Sequence, residues 1–142
     1  MDLKDEVEQF KRECKSIKYL RRKQKELEEE IQELDHALAG VKSPSLDTPP
    51  STGYASNDYK LCIIEKQKEL NRELSLILER IGNVYNTLEQ IEDESEKALI
   101  IDLWVEKRDY RKVARKYGYE DKSVFKKAKM IVKRYLKVKS GH

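Results

Sequence analysis

Glycine and proline are scarce, at 5 and 3 in 142 residues, which leaves too few turn-formers for a fold of many short strands. Cysteine is scarcer. Cys14 and Cys62 cannot build a disulfide framework, so a reducing, cytoplasmic setting is expected. Histidine occurs only as His36 and His142, and neither makes a zinc set with two distant cysteines, so no structural metal is expected. No stretch approaches the roughly 18 apolar residues of a membrane span. The opening Met1-Asp2-Leu3-Lys4-Asp5-Glu6 lacks the basic-then-apolar order of a secretion signal. Phosphate-binding glycine loops and Gly-x-Ser-x-Gly elbows are missing too, and Glu28-Glu29-Glu30 reads as a solvated helix face. The expectation is a non-enzyme with no catalytic residue, no cofactor and no small-molecule substrate.

Charge is abundant. Asp, Glu, Lys and Arg make up 40% of the chain and hydrophobic residues only 38%, with a mean hydropathy of −0.85. That balance suits long amphipathic helices, which bury a stripe and expose the rest. The overall net charge of +3 hides an asymmetry: residues 107–142 carry 14 Lys and Arg against 3 Asp and Glu, a net of +11, whereas residues 92–106 carry 1 against 6, a net of −5. A basic end of this kind points to a polyanion, with nucleic acid first and an anionic surface second.

Two segments have a coiled-coil seam. In residues 1–40 the apolar positions Leu3, Val7, Phe10, Cys14, Ile17, Leu20, Leu27, Ile31, Leu34 and Leu38 recur at steps of three and four, with Gln24 filling one gap and one shortened step between Ile17 and Leu20. Gly40 is expected to end this helix. Residues 58–91 repeat the pattern through Ile63, Leu70, Leu74, Ile77, Ile81, Val84, Leu88 and Ile91, with Gln67 in the gap and Asp58 as the expected N-cap. Between them, residues 41–57 hold all three prolines and many Ser and Thr, and read as a mobile linker. The simplest arrangement is an antiparallel helical hairpin. The competing one pairs each helix with a second copy, and hairpins can themselves dimerise, so a homodimer is expected. In a hairpin Cys14 and Cys62 lie roughly 30 Å apart by helical rise, so both are expected to be unbridged apolar fillers.

Residues 92–142 read as a small DNA-binding domain. Asp93 caps a helix that continues as the nearly all-apolar run Ala98–Val105, which demands burial on more than one side and places Trp104 in the core. Asp109 caps a short helix over 110–117, Gly118 breaks it, and a last helix is expected from about Glu120 or Asp121 to Lys137. Short helix, glycine turn and basic helix form a helix-turn-helix pattern. Ala114 supplies the small residue at the helix crossing, while Val113, Tyr117, Tyr119 and Val124 supply apolar contacts. The inward face of the last helix is Val124, Ala128, Ile131 and Tyr135. Lys127 falls at a usually apolar position, where its aliphatic stem can lie along the surface. By subtraction, Lys122, Ser123, Phe125 and Lys126 are the candidates for reading base edges in a major groove. Tyr110, Arg111, Lys112, Arg115, Lys116, Lys129 and Lys133 are the candidates for phosphate contact. An exposed Phe beside lysines needs a reason, and packing of Phe125 on the coiled coil is the alternative to DNA.

The stretch Tyr110-Arg111-Lys112-Val113-Ala114-Arg115-Lys116-Tyr117-Gly118-Tyr119, followed by Ser123-Val124-Phe125-Lys126-Lys127-Ala128, resembles the helix-turn-helix of sigma-factor region four. The whole chain resembles the phage late-gene regulators of the ArpU and RinA type, closely over residues 92–137 and in architecture alone over 1–91. Glu120, where Ser or Thr often caps the recognition helix, and Lys127 depart from the pattern. The resemblance implies binding to bacterial or phage promoter DNA, with contact to RNA polymerase. The reading is therefore an all-α protein, a long antiparallel coiled-coil hairpin followed by a helix-turn-helix domain, acting as a sequence-specific transcriptional regulator on double-stranded DNA. The alternatives are a structural or adaptor coiled coil with a basic protein- or surface-binding end, and a phage DNA-packaging recognition subunit.

Overall fold

The computed structural model describes residues 2–42 and 50–141, with side chains over 2–40 and 58–137. Every regular element among the described residues is helical: α1 (Leu3–Lys15), α2 (Ile17–Lys42), α3 (Pro50–Glu89), α4 (Glu94–Ile100), a π-helical turn (Ile101–Val105), α5 (Tyr110–Tyr117) and α6 (Ser123–Gly141). No described helix is long and apolar enough to cross a membrane.

Three expected boundaries shift. Of the linker expected at 41–57, residues 43–49 lie outside the described residues, and α3 begins at Pro50 rather than at Asp58. A proline suits the first helical position because its missing N–H would have no partner there and its φ is already helical. Gly40 does not end α2, which runs on to Lys42. Among the described glycines only Gly118 has a positive φ, so Gly40 keeps a right-handed backbone. The last helix starts at Ser123 and reaches Gly141, because residues 120–122 form a turn closed by the Ser123 N–H on the Glu120 carbonyl at 3.0 Å.

The shortened seam step has a structural counterpart. Helix α1 stops at Lys15, one residue before α2. There the Ser16 hydroxyl donates to the Glu13 carbonyl at 2.7 Å, and the Ser16 N–H divides between the carbonyls of Arg12 and Glu13. A serine that bonds back onto the preceding turn bends a helix.

The contacts divide the chain into two compact units, Met1–Leu20 with Arg80–His142, and Arg21–Glu79. This differs from the expected split into a helix over 1–40 and a separate domain over 92–142. In the first unit, α1 packs against α6 and against the π-helical turn. Phe10 meets Trp104 edge to face, with centroids 6.4 Å apart at 68°, and Val7, Cys14, Ile17 and Leu20 are buried with them. A stripe spaced at three and four residues requires one face to leave water without specifying against what. Here the first five buried seam residues, Val7 to Leu20, belong to the unit that holds α4 to α6. The second unit buries Leu27, Ile63, Leu70 and Ile77. Its other seam positions, including Gln24 and Gln67, are half-buried, and the Gln67 amide donates to the Asp35 carboxylate.

Around the basic end, local chemistry explains each helix. The Asp93 carboxylate accepts from the N–H groups of Ser95 and Glu96 at 2.8 and 3.1 Å and starts α4. Lys97 holds the preceding corner through Glu89 and Glu94 at 3.5 and 3.3 Å. The π-helical turn is closed by the Glu106 N–H on the Ile101 carbonyl at 2.7 Å, and residues 102–105 are all buried. Four consecutive buried residues mean cover on more than one side, as the apolar run requires, and Trp104 is 1% exposed. Asp109 accepts from the Arg111 N–H at 3.1 Å and caps α5. Gly118, at φ 77° and ψ 30°, ends it, with the Tyr119 N–H reaching back to the Ala114 carbonyl at 2.8 Å.

Cys14 and Cys62 are both free, but only Cys14 is a buried filler. Cys62 is exposed, since it lies one position off the seam residue Ile63. Burial, helped by the charge of Glu13, pushes the Cys14 thiol up to about 12. An alkylating reagent at neutral pH is expected to modify Cys62 and spare Cys14 until denaturant is added, as intact-mass analysis would show. A side chain at Gly118 would meet nothing within 4 Å, so the cost of Gly118→Ala is the left-handed backbone alone. The expected loss is about 1 kcal/mol, read as a lower Tm.

Candidate nucleic-acid interface

The surface in question is made by α5, the turn after Gly118 and the first turns of α6, all within the first unit. Their mutual packing uses Val113, Ala114, Val124, Ala128 and Ile131, each buried. Val132 joins this set although the sequence pattern did not single it out, and Tyr135 is only half-buried, its hydroxyl donating to the Gln90 side chain. With these residues turned inward, Arg111, Lys112, Arg115, Lys116 and the described remainder of α6 apart from Lys127, Tyr135 and Leu136 are exposed.

Lys122, Ser123, Phe125 and Lys126 are all exposed. Lys122 and Lys126 enter no ion pair with a described residue, and the same holds for Arg111, Lys112, Arg115 and Lys133. Phe125 is 39% exposed, and a partner explains its position. Its ring lies 4.9 Å from that of Tyr110, tilted by 39°, so the first residue of α5 and the third of α6 share an aromatic step at the mouth of the turn. Arg111 also meets this pair: its guanidinium sits 5.6 Å from the Tyr110 ring centroid and its Nε donates to the Tyr110 hydroxyl at 3.4 Å. An aromatic pair flanked by unpaired cations offers stacking area and charge together.

Two phosphate candidates have other partners. Lys129 Nζ lies 3.0 Å from a Glu8 carboxylate oxygen on α1, and Lys116 Nζ lies 2.9 Å from Asp102 Oδ2. Both therefore hold elements together as well as presenting charge. Lys127, the position that departs from the usual apolar pattern, is half-buried. Its Nζ sits 3.9 Å from Glu96 and 5.9 Å from the centroid of the Tyr119 ring, so an acid and an aromatic face match it. Arg134 reaches the same Glu96 oxygen at 3.4 Å.

Asp102 is the important residue that sequence reasoning passed over. It sits inside the apolar run, 9% exposed, and its carboxylate collects three partners. Lys116 is at 2.9 Å, the Tyr117 hydroxyl donates at 2.8 Å, and Arg108 Nε is at 3.4 Å from the other oxygen. Burial alone pushes the Asp102 carboxyl up, but the hydrogen bonds from Lys116 and Tyr117 and the charges of Lys116 and Arg108 outweigh it and hold the group below its ordinary value. Lys116 is raised in turn by the same contact, and Tyr117 is raised by burial and by Asp102. The available signal was an acid that interrupts eight otherwise apolar residues shortly before a cationic helix, because a charge in that position has to be paired. The neighbouring Trp104 indole N–H is buried with no acceptor among the described residues. No cluster of His, Cys, Asp and Glu able to hold a metal occurs among the described residues.

Replacing Asp102 by Asn removes the charge while keeping the shape. The expected loss is about 1–3 kcal/mol, the cost of breaking charge-assisted bonds at a buried group. Because the folded carboxyl titrates below its ordinary value of 3.8, its stabilisation is complete above that value. It is lost as the pH falls through the lower folded value. Thermal melts of wild type and D102N should therefore converge on acidification and differ most near neutrality.

No protein-family model, curated protein or solved structure matches this chain, so the reading of the α5–α6 surface rests on its own residues and geometry.

Proposed function

We propose that the protein is a sequence-specific DNA-binding regulator of transcription, with α5, the Gly118 turn and α6 acting as a helix-turn-helix. In this reading the first two turns of α6 enter the major groove, where Lys122 and Lys126 donate to guanine acceptors and Phe125 meets a thymine methyl. Arg111, Lys112, Arg115 and Lys133 take phosphates on the groove walls and fix the register. Helices α2 and α3 pair as an antiparallel coiled-coil arm, which dimerises the protein or meets RNA polymerase.

One observation carries the reading: among the described residues, seven cations on α5 and α6 and the turn between them (Arg111, Lys112, Arg115, Lys122, Lys126, Lys133 and Lys137) form no ion pair, while Lys116, Lys127, Lys129 and Arg134 of the same helices are matched by Asp102, Glu96 and Glu8. Internal acids thus neutralise one set and leave the other exposed on α5, the turn and α6. Such a surface suits a polyanion of regular spacing, and the phosphate term makes its affinity salt-dependent.

Selection from a random duplex pool, followed by titration across salt, is the direct test. With about 5 phosphates contacted, the log–log slope of affinity against salt should lie near −4 to −5. Lys126→Glu should abolish duplex binding with helix content unchanged by circular dichroism. A palindromic selected sequence would accompany a symmetric dimer. Failure to bind any duplex at roughly 50 mM salt, where the phosphate term is strong, would sink the reading in favour of an adaptor with a basic protein-binding end.

A further inference from the structure

The basic surface does not stop at α5 and α6. Helix α1, whose seam spacing alone suggests a coiled-coil strand, packs on α6 and the π-helical turn, and the packing brings its cations to the same side as Phe125. An open hollow of about 370 Å³ is bounded by Lys11, Lys15, Lys107, Tyr110, Phe125 and Trp104, among others. Lys11 and Lys15 are four residues apart and so lie one above the other on α1. Their neighbours Phe10 and Cys14 are buried, while Lys11 is half-buried and Lys15 exposed where they line the hollow.

Two further observations mark this as more than a solvated edge. The first is crowding of like charge. Burial lowers the Lys11 ammonium below its ordinary value, repulsion by Lys15 and Lys129 lowers it further, and Glu8 opposes them. Folding sets Lys129, with its partner Glu8, beside Lys11 and Lys15. The second is backbone strain. Lys107 has φ 53°, the only positive value among the described non-glycine residues. Glycine adopts that conformation without strain, so a lysine there gives up stability that a glycine would keep. A non-glycine residue in this conformation points to a role, and Lys107 lines the same hollow.

We propose that Lys11 and Lys15 of α1, with Lys107 before α5, form a second phosphate-binding patch, so that duplex DNA is held by α1 as well as by α5 and α6. This rests on the regulator reading and extends it. The patch adjoins the Tyr110–Phe125 step, so a DNA backbone running past α6 meets it next. Its contacts carry charge and no sequence information, so it contributes affinity and leaves base preference to α6. The Glu8–Lys129 pair gives the patch a fixed position, because it ties α1 to α6 beside Lys11.

The test uses the full chain and the duplex recovered by selection, titrated across salt for wild type, K126E, the double variant K11Q/K15Q and K107G. At about 0.9 per phosphate contact, K11Q/K15Q should flatten the slope by about 2 and K107G by about 1, with the order of preferred sequences unchanged. K107G should also keep or raise Tm, since glycine relaxes the backbone, so weaker binding by a sturdier protein cannot be a folding defect. If K11Q/K15Q loses helix content, K107G alone decides. A wild-type slope in these variants while K126E loses binding would refute the patch and leave the regulator reading intact. A changed sequence preference with an unchanged slope would refute its phosphate role. Absence of duplex binding by wild type at roughly 50 mM salt would remove both.

Discussion

A carboxylate taken out of water must be matched, and Asp102 is matched by a particular set of groups. Lys116 and Tyr117 come from the last turn of α5 and Arg108 from the segment before it. The three contacts tie both ends of α5 to the π-helical turn, so the angle of the short helix is set by charge as well as by Val113 and Ala114. Helix α6 is placed on α5 through Ala114, the left-handed Gly118 and Val124. Moving Asp102 out of register would therefore move the whole basic surface. Residues 102–105 of the π-helical turn are all buried, so Asp102 meets its partners from within a segment covered on more than one side.

The electrostatics of the first unit sort cations into two populations. Asp102, Glu96 and Glu8 each collect one or more basic groups, and these pairs join elements: the π-helical turn to α5, α4 to α6, and α1 to α6. The other described cations of α5 and α6 form no ion pair. The acidic stretch 92–106 and the basic stretch that follows are thus partly complementary within one unit. The net charge of the basic end overstates what is available to a partner, and the exposed subset on α5 and α6 is the more informative quantity.

Features set by neighbours in sequence were legible before the structure. Asp93 and Asp109 as caps, α5 over 110–117, Gly118 as its stop and the burial of Trp104 all follow from short-range chemistry. The seam positions of the second unit are all buried or half-buried, because heptad spacing dictates which face leaves water. What spacing cannot dictate is the identity of the covering surface, so the docking of α1 on Trp104 and α6 was missed and residues 1–20 were assigned elsewhere. The partner of Phe125 was hidden for a similar reason. Tyr110 lies fifteen positions away and meets it only because Gly118 reverses the chain. Pro50 lies in a proline-rich stretch that suggests a linker, yet a first-turn proline starts a helix as readily as it interrupts one, and here it opens α3. Asp102 was absorbed into an apolar run whose composition outweighed its single charge.

The first unit is assembled from two stretches of sequence, up to Leu20 and from Arg80 onward. During synthesis the apolar side of α1 therefore emerges long before Trp104 or α6 exists to receive it. Closing so wide a gap carries an entropic penalty that grows only logarithmically with the intervening length, yet it must be met before any contact rewards it. Until those elements are present, the apolar side of α1, with Phe10 and Cys14, has nothing from its own unit to cover it.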